Sequence, residues 1–245
     1  IADIASTVDY CREHGIECNC YPEDWSGGIL ENNGYTEWLI EQLSALPIKR
    51  IMLPDTLGRM HPDQTQSAFR ALVDKHPETH FDFHAHNDYG LATANSLSAV
   101  LAGVRGLHVT VNGLGERAGN AALDEVSVVL TDIADIAVGV DETELVAAAQ
   151  MVEVFSGRRI APNKPISGSA VFTQTAGIHA DGDRKGNLYV TKLDPGRFRR
   201  TRTYALGKHS GKASLEMNLQ KLGLELSPEQ KNTVLRRVIE LAAAG

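Results

Sequence analysis

His80-Phe81-Asp82-Phe83-His84-Ala85-His86-Asn87-Asp88 reads as a buried strand running directly into a polar turn. Apolar and β-favouring residues followed at once by Asn-Asp are how a parallel strand ends in a functional loop. Side chains alternate along a strand, so His84 and His86 share one side, with Cα atoms roughly 6.5 Å apart. Two neutral imidazoles so placed can ligate one divalent metal ion. The stretch therefore points to an α/β enzyme with a metal-dependent site at its strand ends.

The same theme repeats on both sides of it. Residues 1–14 carry Ile1, Ile4, Val8 and Cys11 at helical spacing, and 16–22 reads as a strand. Glu23-Asp24-Trp25-Ser26-Gly27-Gly28 reads as the loop after it. A helix is predicted near 34–45, a strand over 48–53 ending in Pro54-Asp55-Thr56-Leu57-Gly58, and a helix from an Asp63 cap through His76. After the histidine strand come a helix near 90–103, a strand over 107–111, a glycine-rich loop over 112–120 and another helix. Strands alternating with helices indicate a parallel sheet, and every polar cluster falls just after a strand, on the face where such sheets place their sites. Four strands are too few to close an eight-stranded barrel. Either the sheet is open, or part of a barrel lies outside this chain.

Beyond residue 140 the character changes. Asp141 with Glu144 resembles a capping box for a helix to about Phe155. Residues 157–203 are rich in Gly, Pro and Arg without sustained period, as in an extended linker crossing to a partner subunit. Ser227-Pro228-Glu229-Gln230 signals the start of a last helix, reaching Ala244, with proline at its first position.

Composition narrows the classes. The 245 residues suit one large domain or a domain with an appendage, and 42% hydrophobic residues suffice for a real core. A net charge of −7 without a long basic run argues against nucleic acid as a partner. The run Arg197-Phe198-Arg199-Arg200-Thr201-Arg202 reads as a solvated surface turn rather than an anion or nucleotide site. Three cysteines, an odd and sparse number, argue against a disulfide framework and for a reducing compartment. With no second cysteine cluster, Cys18 and Cys20 read as small buried side chains, not metal ligands. No apolar run approaches a membrane span and no signal peptide opens the chain, so a cytoplasmic location is expected.

Other groups could carry chemistry. Glu23 follows a strand on the site's face and would serve as a general base if partly desolvated; otherwise it is an ordinary surface carboxylate. Asp55 and Thr56 hold the equivalent place after the next strand, where a hydroxyl could bind a substrate carboxylate or cap a helix. Asn120 is a candidate oxygen ligand for the metal, whose further, anionic ligand the residues do not identify. The N–H groups of loop 112–120 could bind anions, although the loop matches neither the dinucleotide nor the P-loop fingerprint. His179, among glycines and acidic residues in Thr175-Ala-Gly-Ile-His-Ala-Asp-Gly-Asp183, suits an exposed functional loop.

Taken together, His84-Ala-His-Asn-Asp-Tyr-Gly-Leu-Ala92, Asn112-Gly-Leu-Gly-Glu-Arg-Ala-Gly-Asn120 and Thr175-Ala-Gly-Ile-His-Ala-Asp-Gly182 resemble the 2-isopropylmalate, homocitrate and citramalate synthase family. Tyr21-Pro-Glu-Asp-Trp25, Leu53-Pro-Asp-Thr-Leu-Gly58 and Val154-Phe-Ser-Gly-Arg-Arg159 resemble the citramalate branch. The resemblance implies an acyltransferase of branched-chain amino-acid biosynthesis (leucine or isoleucine). Such enzymes condense acetyl-CoA with a 2-oxo acid and then hydrolyse the CoA thioester. By resemblance, His84, His86 and Asn120 hold a divalent metal (Zn, or Mg or Mn). Glu23 helps form the enolate, Thr56 holds the 2-oxo acid, and Tyr21 lines the pocket for its side chain. His179 and Tyr189 match linker residues that reach a neighbouring subunit's site, which implies a homodimer.

The family fold is a (β/α)8 TIM barrel followed by a linker subdomain. The resemblance also implies a first strand ending in Arg-Asp and, in many relatives, a C-terminal regulatory domain; both are expected to lie outside residues 1–245. The expectation is therefore α/β. Residues 1–157 would form the C-terminal half of the barrel, strands 5–8, and 158–245 an α-rich linker subdomain, with the N-terminal half of the barrel absent. Such a chain is expected to be inactive alone. Pyruvate, giving citramalate, is the expected substrate and 2-oxoisovalerate the alternative. A metal-dependent aldolase or lyase on the same barrel and a dimerisation fragment are the competing readings.

Overall fold

The computed structural model describes residues 1–174, 182, 186, 191–207 and 210–244. They form two compact units: Ile1–Val140 with Val152–Ser156, and Asp141–Met151 with Gly157–Gly245.

The first unit is built on four parallel strands in sequence order: β1 (Asn19–Cys20), β2 (Arg50–Asp55), β3 (Phe81–Ala85) and β4 (Gly106–His108). Helices α1 (Ala2–Glu13), α2 (Trp25–Glu31), α3 (Asn33–Ser44), α4 (Pro62–Lys75), α5 (Ala92–Leu101) and α6 (Leu123–Asp132) alternate with them. The two faces of the sheet differ in kind. Ile51, Leu53, Phe81, Phe83 and Ala85 point one way and are sealed under the helices by Trp25, Ile40, Leu43 and Phe69. Phe69 is the hinge of this core, its ring 4.9 Å from Trp25 and 5.1 Å from Phe83. At about 25 cal/mol per Å2, each such ring contributes several kcal/mol by leaving water. The residues between them, Arg50, Met52, Asp82, His84 and His108, lie on the opposite face.

Local expectations are corrected at several points. The strand expected over 16–22 pairs only at Asn19–Cys20, and that over 107–111 ends at His108. The chain then enters a 3-10 turn, Val111–Gly113, with Asn112 at φ 60°. The loop after β1 winds into α2, because Trp25, Ser26 and Gly27 are all buried there. Asp63 does not cap α4. His61 does, in a reciprocal capping box with Gln64, and Pro62 opens the helix.

In the second unit, Asp141 accepts from the Thr143 N–H (2.9 Å) and hydroxyl (2.8 Å), capping the 3-10 turn Glu142–Glu144 ahead of α7 (Leu145–Ser156). Glu144 pairs with Arg199 at 2.8 Å, so the expected capping role for Glu144 gives way to an ion pair. The stretch expected to be an extended linker contains β5 (Thr173–Gln174) and leads into β6 (Thr203–Tyr204), the two paired in parallel. The Arg-rich run is not a solvated turn throughout. Arg197 donates to both carboxylate oxygens of Glu142 (2.8 and 2.7 Å). Arg200 donates to the carbonyls of Gly168 (2.5 Å) and Ser169 (2.7 Å) while lying over the Phe172 ring. Phe172 stacks on the buried Phe198. Helices α8 (Lys212–Leu222) and α9 (Pro228–Ala244) close the unit. Ser227 and Gln230 form the expected capping box for α9: the Ser227 N–H donates to Gln230 (2.8 Å) and the Gln230 N–H to Ser227 (3.2 Å).

Among the described residues, no helix is long and apolar enough to cross a membrane.

Candidate metal and substrate site

The alternation expected of β3 brings two rings together at its end. His84 Nε2 and His86 Nε2 lie 3.2 Å apart, with the rings edge to face. Two nitrogens bound to one zinc at 2.0–2.1 Å and a tetrahedral angle are about 3.3 Å apart, so this separation fits a shared ion. The same separation is within hydrogen-bond distance, with the donor dependent on the tautomer. Burial pushes the His84 imidazole down to about 4, helped by the neighbouring His86 and His108 rings; Glu23 pulls the other way. His84 is therefore neutral at pH 7, the form that binds metals. Asn120 sits opposite His86 in an isolated antiparallel bridge. Its Nδ2 donates to the Leu114 carbonyl (3.2 Å), while its Oδ1 is buried without a hydrogen-bond partner, as are Nδ1 of His84 and Nδ1 of His86. These three residues fit a metal's donor set in part. Among the described residues, no group of three or more His, Cys, Asp or Glu side chains is placed to hold an ion.

The loops after β2, β3 and β4 are stitched into one surface. Arg117, at φ 51°, donates from Nε to Asp88 Oδ1 (2.7 Å) and from Nη2 to Asp88 Oδ2 (2.9 Å) and the Thr56 carbonyl (2.6 Å). Those hydrogen bonds hold the Asp88 carboxyl below its usual range. The Gly119 carbonyl accepts from Asn87 N–H (2.9 Å), and the Ala85 carbonyl from Ala121 N–H (2.9 Å). Gly119 has φ +88°, and a Cβ there would collide with the Gly113 carbonyl oxygen.

Across this surface the Thr56 hydroxyl donates to Glu23 Oε1 (2.7 Å) and accepts from the Asp24 N–H (3.0 Å). Glu23 is solvent-exposed, not desolvated as a ready-made base would be. Asp55 is fully buried and accepts from Ser26 Oγ (2.7 Å), Arg59 N–H (2.9 Å) and Met60 N–H (3.1 Å). It ties β2 to the turn that follows and has no exposure toward a ligand. The Tyr21 ring stands 6.0 Å from His84 and 6.3 Å from His108. Its phenol is pushed up to about 12, first by burial and then by the charge of Glu23. His179 and Tyr189 lie outside the described residues.

Sequence reasoning missed a second layer beneath the histidines. Asp82, two residues before His84 on the same strand face, is buried and has His80 (2.9 Å), His108 (3.3 Å) and Arg50 (3.5 Å) around it. The period-2 rule that paired His84 with His86 extends backwards to Asp82 and could have found it. Arg117 could not have been found that way, because its partners are 29 and 61 residues distant in sequence.

Residues 1–152 match the family model described as HMGL-like, and residues 166–245 match that of a homocitrate synthase post-HMGL domain-like region. A Methanopyrus kandleri protein provisionally named (R)-citramalate synthase is 36% identical over 97% of this chain and 46% of its own length. The homocitrate synthase of Sulfolobus acidocaldarius is 34% identical (97% and 50%), and the 2-isopropylmalate synthase of Sulfurisphaera tokodaii is 34% identical (99% and 62%). The chain thus spans about half the length of the curated relatives it matches. Among solved structures, hydroxymethylglutaryl-CoA lyase from Pseudomonas aeruginosa aligns with a TM-score of 0.55 at 24% identity, over 63% of this chain and 54% of that one. The HMG-CoA lyase from Brucella melitensis gives 0.50 at 21% (62% and 56%). The sheet and its helices therefore have a TIM-barrel-type α/β fold.

Proposed function

The chain belongs to the HMGL-like family, and from that premise we propose that it forms part of a synthase joining acetyl-CoA to a 2-oxo acid by Claisen condensation, with release of CoA. The observation that carries this reading is the convergence of His84 and His86 at 3.2 Å, at the end of a parallel strand, on the surface that also holds Thr56 and Glu23. The homocitrate synthase-type match over 166–245 favours a synthase over a simple lyase. Four parallel strands in sequence order agree with the C-terminal half of a barrel, residues 1–157, followed by a linker subdomain over 158–245.

In this reading His84, His86 and Asn120 would hold a divalent ion, zinc or else magnesium or manganese. When bound, that ion supplies Lewis-acid polarisation of the 2-oxo acid's carbonyl. Thr56 binds the substrate carboxylate through its hydroxyl. Its hydrogen bond to Glu23 is then surrendered, which leaves that carboxylate oxygen free to accept. Glu23 takes a methyl proton from acetyl-CoA, with both partners held in reacting geometry. Tyr21, beside His84, bounds the space left for the substrate side chain. A bulky ring at that position favours the methyl of pyruvate over the isopropyl of 2-oxoisovalerate. His179 and Tyr189 are assigned to a partner's site in a homodimer, and the enzyme to the cytoplasm.

A substrate panel tests the reading. The chain, supplied with the N-terminal half-barrel of a relative, is given acetyl-CoA and pyruvate, 2-oxoisovalerate or 2-oxoglutarate, and free CoA is read with a thiol reagent. Release fastest with pyruvate is expected, and none from the chain alone. Faster release with 2-oxoisovalerate would move the assignment to 2-isopropylmalate synthesis. No release with any 2-oxo acid overturns the synthase reading, and full activity of the chain alone overturns the half-barrel.

A further inference from the structure

The groups beneath the paired histidines have no part in the reaction as proposed, yet they are linked to it. Asp82 and His84 are two residues apart on β3 and share a face. In the pairing of β3 with β4, Asp82 stands in register with Gly106 and His84 with His108. The Asp82 carboxyl lies over Gly106, where a Cβ would collide with it. It thereby reaches the His108 imidazole, with 3.3 Å between Oδ2 and Nε2 in a hydrogen bond. His80 (2.9 Å) and Arg50 (3.5 Å) hold the same carboxyl. An apolar side chain would fill this buried place at lower cost than a carboxyl that needs three partners. His108 carries the anchorage up to the site. Its ring centroid lies 5.7 Å from that of His84, at 64°, and 6.3 Å from that of Tyr21, at 19°. The Tyr21 ring is 6.0 Å from His84, also at 64°. Two nearly parallel rings thus flank the His84 ring, each meeting it edge to face. Tyr21 follows the first strand and His108 ends the fourth. Those strands would be about 14 Å apart in a flat sheet, so the two rings reach toward each other across its whole width.

We propose that His108, held by Asp82, is a positioning residue for His84. It fixes that ring in the orientation that presents Nε2 beside Nε2 of His86, 3.2 Å away. A ligand ring that cannot turn surrenders less freedom when an ion binds, and supports behind a ligand of this kind are worth roughly 10–100-fold in metal affinity. Gly106 is the third member of the device, because only a residue without a side chain leaves room for the Asp82 carboxyl to pass. The inference rests on the reading of His84 and His86 as metal ligands and adds to it what keeps the first of them in place.

The test uses the chain assembled with the N-terminal half-barrel of a relative, as in the substrate panel. Zinc affinity is read by competition with a coloured chelator. Cobalt(II) replaces zinc in a second series, where its visible bands report ligand geometry. His108→Ala and Asp82→Asn should each weaken zinc binding roughly tenfold and shift the cobalt bands. Gly106→Ala, which displaces the Asp82 carboxyl while keeping both partners, should do the same. His108→Phe, which restores a ring beside His84, should recover affinity relative to His108→Ala. Urea melts of the metal-free proteins separate these effects from lost stability. Variants that are less stable but keep the zinc affinity and cobalt bands of the parent would make Asp82 and His108 mere internal braces and overturn the proposal. An unsubstituted assembly that binds no zinc would instead sink the metal reading, and this inference with it.

Discussion

His84 shows how burial prepares a single residue. An imidazole depressed from 6.5 to about 4 stays neutral in the folded chain where the unfolded chain would protonate it. Between those two values the unfolded state binds the extra proton. This contribution to stability is therefore intact above pH 6.5 and lost as pH falls through about 4. Urea melts between pH 4 and 7 should show stability rising with pH, and His84→Gln should flatten part of that rise; identical slopes in the two proteins would refute the shift. That the His84 and His86 rings would meet was legible in the sequence, because period-2 alternation is a local property. The hydrogen bonds that occupy Thr56 were not legible, since their partners Glu23 and Asp24 come from the loop of another strand.

At the level of elements, the order of helices and strands could be read from hydrophobic period, but their ends could not. Helix α2 was hidden by Trp-Ser-Gly-Gly, a poor helical sequence by propensity. Burial of Trp25 and Ser26 overrides that propensity, a tertiary effect outweighing a local one. Loop 112–120 shows the reverse case. Its glycines signalled tight backbone, but only the fold reveals that Gly119 must pass the Gly113 carbonyl. Gly119→Ala should combine a strained φ with that collision and destabilise the first unit by about 2 kcal/mol or more. Chemical denaturation measures this, and a loss below about 0.5 kcal/mol would mean the loop relaxes freely.

At the level of the whole molecule, the first unit presents an open parallel sheet. Strands β1 and β4 are its edges, and one face carries Arg50, Asp82, His84 and His108 in place of a second apolar layer. Parallel sheets are ordinarily covered on both faces, and uncovered edges invite pairing with other chains. The isolated chain should therefore associate beyond a dimer as its concentration rises. Light scattering would reveal this, and a monodisperse species at all concentrations would contradict the half-barrel. The sequence by itself determined the βα alternation, the strand that carries the histidines and the side of the sheet they share, because each depends on residues within one or two turns of each other. The tertiary structure alone decided that Asp55 is buried as a brace, that Arg117 binds Asp88 and the Thr56 carbonyl, and that Asp82 lies under the histidines among His80, His108 and Arg50. Those outcomes depend on which strands become neighbours, and no local pattern encodes a neighbour dozens of residues away.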